Sequence, residues 1–100
     1  MATSTIQTGL RLVKIPNNLF TWNSSNKFFV ASITDVANAV ELNSIVTFVM
    51  GSVTNSSGGI CWSVGRTSGG SITVCGWIPK RAASIDDTAL NYFDCYAIGY

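Results

Sequence analysis

Histidine is absent from this sequence, and charge is scarce: six Lys or Arg stand against five Asp or Glu, 11% of 100 residues, for a formal net charge of +1. Without histidine the chain lacks the side chain that most often acts as a general base near neutral pH and most often binds metal. Most hydrolase triads and catalytic zinc sites are thereby excluded. So small a net charge gives no field to gather phosphates or an anionic bilayer, and nucleic acid is not an expected partner. Long apolar runs are missing too. The longest, residues 45–50, is interrupted by Thr47 and falls far short of a bilayer span, so no membrane insertion is expected. The opening MATSTIQTGLRLVK has neither the basic start nor the apolar stretch of a secretory signal, which predicts a chain not exported by a cleaved signal.

Cysteine is sparse and oddly numbered. Cys61, Cys75 and Cys95 show no C-x-x-C spacing, and no His or fourth Cys completes a tetrahedral zinc set. An odd count without an oxidising compartment does not make a disulfide framework. All three are expected to behave as small apolar residues. No metal or cofactor is predicted.

What is present is 47% hydrophobic residues, 11% aromatics, nine Gly and many Ser, Thr and Asn. A chain of this mass hides roughly two-thirds of its unfolded surface on folding, enough for one modest core. Period-2 alternation dominates and predicts strands at 10–15, 27–34, 44–52, 60–65, 71–78 and 91–100. Turn-rich stretches separate them at 16–18, 23–26, 54–59 and 66–70, and the triplets Asn23-Ser24-Ser25 and Asn55-Ser56-Ser57 read as polar turns. The expected fold is all-β: a small β-sandwich or jelly-roll-like domain with at most a short helical turn. Residues 1–18 form an amino-terminal lead with the first strand, and 19–100 a single β domain. Residues 35–43 put Val36, Ala39, Val40 and Asn43 on one helical face, so a helical turn or irregular connection belongs there. Ser84-Ile85-Asp86-Asp87 loosely matches a capping box, which predicts at most a short helix before the final strand.

The clearest local expectation is a hairpin around Arg66-Thr67-Ser68-Gly69-Gly70. A turn symmetric about Ser68 places Val64 opposite Ile72, Trp62 opposite Val74 and Cys61 opposite Cys75. One face then carries Ile60, Trp62, Val64, Ile72, Val74 and Ile78; the other carries Cys61, Ser63, Ser71, Thr73, Cys75 and Trp77. Trp77 is the large aromatic on the polar side. The last strand alternates Tyr92, Asp94, Tyr96, Ile98 and Tyr100 with Phe93, Cys95, Ala97 and Gly99. Apolar on both faces, it is expected to be central or interfacial, and Tyr96, Ile98 and Tyr100 are the candidate oligomer contacts.

Little in the sequence carries catalytic chemistry. Asp86 and Asp87 suit helix capping. Asp94 on a half-buried strand wants a partner, for which Arg11, Arg66 or Arg81 are available. Ser57-Gly58-Gly59 and Ser68-Gly69-Gly70 lack the Lys-Ser/Thr ending of phosphate loops and read as turns. No catalytic residue is predicted. Among the aromatics, Trp22, followed by Asn23 and a polar turn, and Trp77 are the candidates for exposure. An indole flanked by small polar groups is a workable sugar platform, with core or interface packing as the alternative for both.

Gly58-Gly59-Ile60-Cys61-Trp62, the Trp77-Ile78-Pro79 step and an ending inside the last strand resemble the carboxy-terminal head domains of bacteriophage tail-fibre, baseplate and head-fibre proteins. The resemblance covers roughly residues 19–100 as a style. It implies a homotrimer of β heads that recognises a host-surface saccharide or protein receptor, in a virion assembled in the host cytoplasm; it transfers no binding residue. The alternatives are a structural capsid decoration or assembly module, and, third, a small enzyme or enzyme inhibitor. Eleven charges on one hundred residues are also few for a lone soluble domain, of which about a quarter is normally charged. Burial against identical neighbours explains the deficit.

Overall fold

A computed structural model describes residues 3–7, 9–52 and 59–100. These residues form nine strands and one α-helix: β1 (Thr3–Gln7), β2 (Leu10–Lys14), β3 (Thr21–Asn23), β4 (Phe28–Ser32), α1 (Ile33–Val40), β5 (Ile45–Ser52), β6 (Cys61–Arg66), β7 (Ser71–Ile78), β8 (Ala83–Ser84) and β9 (Phe93–Gly99). Sheet A has the order β1-β2-β9-β5, and sheet B the order β3-β4-β7-β6 with β8 also on β7. Every pairing is antiparallel. The chain passes from one sheet to the other after β2, β4, β5 and β8, giving the jelly-roll-like sandwich expected from the strand pattern.

Alternation along the strands builds the core. Phe93, Cys95 and Ala97 of β9 and Val13 of β2 point inward from sheet A; Phe29 and Ala31 of β4 and Ile72, Val74 and Ile78 of β7 meet them from sheet B. Phe93 is the hub, its ring centroid 5.4 Å from Phe20, 5.7 Å from Phe29 and 5.1 Å from Trp62. Gly76 of β7 leaves the space that Ile60, Trp62 and Ile85 occupy: a β-carbon there would come within 2.7 Å of Ile85 and 2.9 Å of Ile60.

The segment expected to be one strand over 27–34 divides. It is extended to Ser32, and Ile33 opens a two-turn helix held by its amide to the Gly70 carbonyl at 2.9 Å. Val36 and Val40, placed on one helical face by their spacing, are both buried. The helix ends at Glu41 in the left-handed conformation, and the Arg11 guanidinium donates to the Glu41 carbonyl at 2.8 Å, a cation on the negative end of the helix. Asp86 caps the 3-10 turn Asp87–Asn91 before β9. β2, grouped by the sequence with the lead segment, is integral to sheet A, pairing with β9 and burying Val13.

The β6–β7 hairpin corrects the expected register. Val64 lies opposite Val74, Trp62 opposite Gly76, Ser63 opposite Cys75 and Cys61 opposite Trp77. The symmetry point is Gly69, not Ser68, because Thr67 and Ser71 close the loop and Gly70 takes φ +83. This is a three-residue turn with its last residue left-handed, the usual site for glycine. A shift of two residues keeps every side chain on its assigned face but separates Cys61 from Cys75. Residues 54–58 of the turn expected over 54–59, and with them the triplet Asn55-Ser56-Ser57, lie outside the described residues.

Candidate functional site

The two outer faces of the sandwich differ in chemistry. On sheet A, β9 is central between β2 and β5. Its outward residues are flanked in register: Ile98 by Leu12 and Thr47, Tyr96 by Lys14 and Val49. Residues opposite one another share a face. Tyr96, Ile98 and Leu12 are half-buried by these neighbours, whereas Val49 is 43% and Tyr100 54% exposed. Val46, at the bulge between Ile45 and Thr47, is exposed as well. Tyr96 and Ile98 of β9 thus share one largely apolar surface that Leu12 and Val49 enlarge, with exposed Tyr100 just past the end of β9 and Val46 at the bulge of β5. Those additions were not legible in the sequence, since only the order β2-β9-β5 brings them beside Tyr96 and Ile98.

At one end of this face Lys14 meets Asp94, Nζ to Oδ1 at 3.6 Å. Lysine, not any of the three arginines, is the partner of Asp94, because β2 runs beside β9. Both groups are more than a third exposed, so the pair contributes at most modestly to stability. Lys14 also donates to the Asn17 Oδ1 at 3.4 Å. Asn17 in turn donates its side-chain N–H groups to the carbonyls of Leu90 (2.9 Å) and Phe93 (3.0 Å), fixing the start of β9.

On sheet B the outward rows of β6 and β7 are small and polar: Ser63 beside Cys75, Gly65 beside Thr73, and Trp77 between Cys61 and Ser84; on β4 the same face carries Phe28 and Val30, the latter opposite Thr73. Trp77 is 49% exposed, a bare indole among hydroxyls and thiols. Trp22 is different. It lies opposite Phe29 on the inner face of the same sheet, with ring centroids 4.9 Å apart, and packs against the core. Asn23 is committed to the β3–β4 turn: its Oδ1 accepts from the Asn26 amide at 2.9 Å and its carbonyl from the Lys27 amide at 2.9 Å. The structure therefore does not bring Trp22, Asn23 and Trp77 into one site.

A shallow cleft lies under the β7–β9 connection, lined by Ile60, Ile78, Ile85, Ala89, Arg81, Asp86, Thr88 and Tyr92. Its volume is about 40 Å³, room for a water or two and far below the roughly 300–1,000 Å³ of small-molecule pockets. Hydrogen bonds from the Thr88 hydroxyl and amide hold the Asp86 carboxyl below its usual range, with a further contribution from Arg81. Such a carboxylate is an ordinary turn cap and a weak proton acceptor.

The cysteines separate by environment. Cys61 is exposed, Cys75 half-buried and Cys95 fully buried, and none is paired. Burial pushes the Cys95 thiol up to about 12, the nearby Lys14 charge offsetting only part of the effect. Among the described residues no cluster of three or more His, Cys, Asp or Glu could hold a metal ion, and no helix is long and apolar enough to cross a membrane.

No protein family, curated protein or solved structure matches this chain.

Proposed function

We propose that the chain is a non-enzymatic, virion-type β head, of the kind carried by phage fibres. It assembles with copies of itself as a trimer and binds a host-surface glycan or another surface receptor. The observation that carries this reading is the contrast between its two outer faces. The apolar face around Tyr96, Ile98 and Val49 suits burial against a neighbouring copy. The small polar rows of β6 and β7 leave Trp77 available between Cys61 and Ser84, and an exposed indole stacks on the C–H groups of a sugar while neighbouring hydroxyls hydrogen-bond.

The test joins sedimentation with a glycan array and an adsorption assay. The expected result is a trimer whose Trp77→Ala variant still assembles but loses adsorption to host cells. A monomer that binds nothing on the array overturns the proposal.

A structural capsid decoration or assembly module is the second reading, favoured by the smallness of the cleft at Arg81 and Asp86. Trp77→Ala would then weaken incorporation into particles and leave adsorption by assembled particles unchanged. For an enzyme or inhibitor the motivating residue was Asp94, and its Lys14 partner on an open sheet face lends that reading no support.

A further inference from the structure

The β6–β7 hairpin brings two of the three cysteines to one face. Cys61 lies opposite Trp77 and Ser63 opposite Cys75, so Cys61 and Cys75 are diagonal neighbours. Burial alternates along β7, where Ile72, Val74 and Gly76 are buried, and the outward rows carry Cys61 and Trp77 exposed and Cys75 half-buried. β7 is held on one side by β4 and on the other by β6, which fixes the spacing of the two residues.

That spacing decides what the pair can hold. Diagonal neighbours across an antiparallel ladder stand about 7–8 Å apart, their Cβ atoms somewhat closer. A disulfide needs Cβ atoms about 3.8 Å apart and is too short for this span. Two thiolates on opposite sides of one metal ion place their sulfurs about 4.6 Å apart, twice a metal–thiolate bond of about 2.3 Å. With a Cβ–S bond at either end, such a bridge reaches roughly 6 Å between Cβ atoms. The pair suits an ion between two sulfurs rather than a bond joining them.

Ligand type and number then narrow the ion. Thiolates select Cu(I), zinc and iron–sulfur clusters. Zinc and the clusters take four protein ligands, and among the described residues no group of three or more His, Cys, Asp or Glu is placed to hold a metal. Two-coordination remains, which the soft, closed-shell Cu(I) ion accepts. Around the thiols the outward residues Ser63, Gly65, Ser71 and Thr73 are uncharged, so no carboxylate draws a hard cation to this patch. Trp77 is a further, independent element. It stands opposite Cys61 and two residues along from Cys75, 49% exposed, and an indole face attracts a cation.

We propose that Cys61 and Cys75 together bind one Cu(I) ion beside the Trp77 indole. Two S–H bonds break and two Cu–S bonds form; both protons pass to solvent, copper stays Cu(I) and no electron is transferred. Exposed Cys61 meets the incoming ion first, and Cys75 completes the site. Cys95, buried on the other sheet, takes no part. All three side chains of the site belong to one chain, so the site depends neither on assembly nor on the receptor reading above.

The test titrates the fully reduced full chain, without oxygen, with Cu(I) in competition with a chromophoric Cu(I) chelator. One ion per chain is expected, and X-ray absorption should find two sulfur neighbours. Cys61→Ser and Cys75→Ser, each deleting one of two ligands, should weaken binding by about two orders of magnitude or more, and Cys95→Ala should leave it unchanged. Cys75→Ala is a second variant at the half-buried position, with circular dichroism confirming that each variant is folded. Trp77→Leu should weaken binding by about two- to five-fold and abolish the quenching of tryptophan emission by the ion. No binding by the parent overturns the proposal, as does undiminished affinity in the Cys61 variant or in a folded Cys75 variant. One ion per two chains overturns it in favour of copper held between the Cys61 thiols of separate molecules.

Discussion

Gly99 and Ser44 approach so closely that a β-carbon on Gly99 would overlap the Ser44 carbonyl oxygen. The contact belongs to a reciprocal pair of backbone hydrogen bonds, Ser44 N to Tyr100 O at 2.8 Å and Tyr100 N to Ser44 O at 2.9 Å, which ties the end of β9 to the entry of β5. The obstacle is backbone, so it cannot swing aside as a side chain would. Gly99→Ala is expected to destabilise at or beyond the top of the roughly 1–3 kcal/mol range for overpacking. Gly51→Ala, whose added carbon would sit 3.6 Å from Asp94, should stay within about 1 kcal/mol of the parent. Thermal unfolding of the two variants side by side checks the difference.

Phe93 joins three rings from separate parts of the chain and is fully buried. Phe93→Ala should cost about 3–5 kcal/mol and lower Tm by more than about 10 °C in a domain of this size. Phe93→Leu should recover a substantial part of that loss, as denaturant titration would show.

The two candidate tryptophans should part company. Trp22→Ala removes an indole packed on Phe29 and is expected to cost at least about 2 kcal/mol. Trp77→Ala removes a ring that is half exposed and should change stability by no more than about 1 kcal/mol. Urea midpoints of both variants separate them, and only Trp77 then serves as a clean probe of binding.

Thiol chemistry should follow burial and pH. At pH 8 a thiol reagent is expected to modify Cys61 quickly and Cys95 only on global unfolding. The Cys95 pKa rises from an ordinary value of 9.0 to about 12, so the folded state holds its proton more tightly than the unfolded chain. Its contribution to stability is complete below pH 9 and falls as pH climbs from 9 towards 12. Cys95→Ala should flatten that alkaline decline, seen by comparing denaturant midpoints across the interval.

Asn17 offers a test of how the start of β9 is fixed. Asn17→Ala leaves the Leu90 and Phe93 carbonyls without their side-chain donors, and a loss of about 1–3 kcal/mol is expected. Lys14→Ala, which removes a partly exposed ion pair, should cost less than about 1 kcal/mol. Chemical denaturation ranks them.

The fold was legible where one face of a strand must be apolar. Period-2 alternation located β2, β5, β6, β7 and β9 to within a residue or two and assigned the hairpin faces correctly. β3 and β8 escaped because strands of two or three residues hold too few alternations to stand out, and β1, as long as β2, has Ile6 as its one apolar residue and so shows no alternation. The hairpin register slipped because the loop was centred on its middle residue; requiring a glycine at the left-handed position would have moved the centre to Gly69. The exposure of Trp77 followed from its place on a polar face. Trp22 misled because its polar neighbours belong to the following turn, while the ring itself turns inward onto Phe29. Neither the Lys14 partner of Asp94 nor the joining of Val49 to Tyr96 could be read locally, since both depend on which strands become neighbours.

The insertion of β9 between β2 and β5 has a consequence for the timing of folding. As the chain is synthesised, sheet B acquires all its strands once β8 has emerged, and it can close from contacts mostly near in sequence. Sheet A at that moment consists of two separate pieces, β1–β2 and β5, waiting for a strand made some eighty residues after the first of them. Until Phe93 arrives, Phe20, Phe29 and Trp62 lack the ring they gather around. The nascent chain thus carries an open hydrophobic seam until β9 is delivered, and chaperone engagement should be concentrated in that interval.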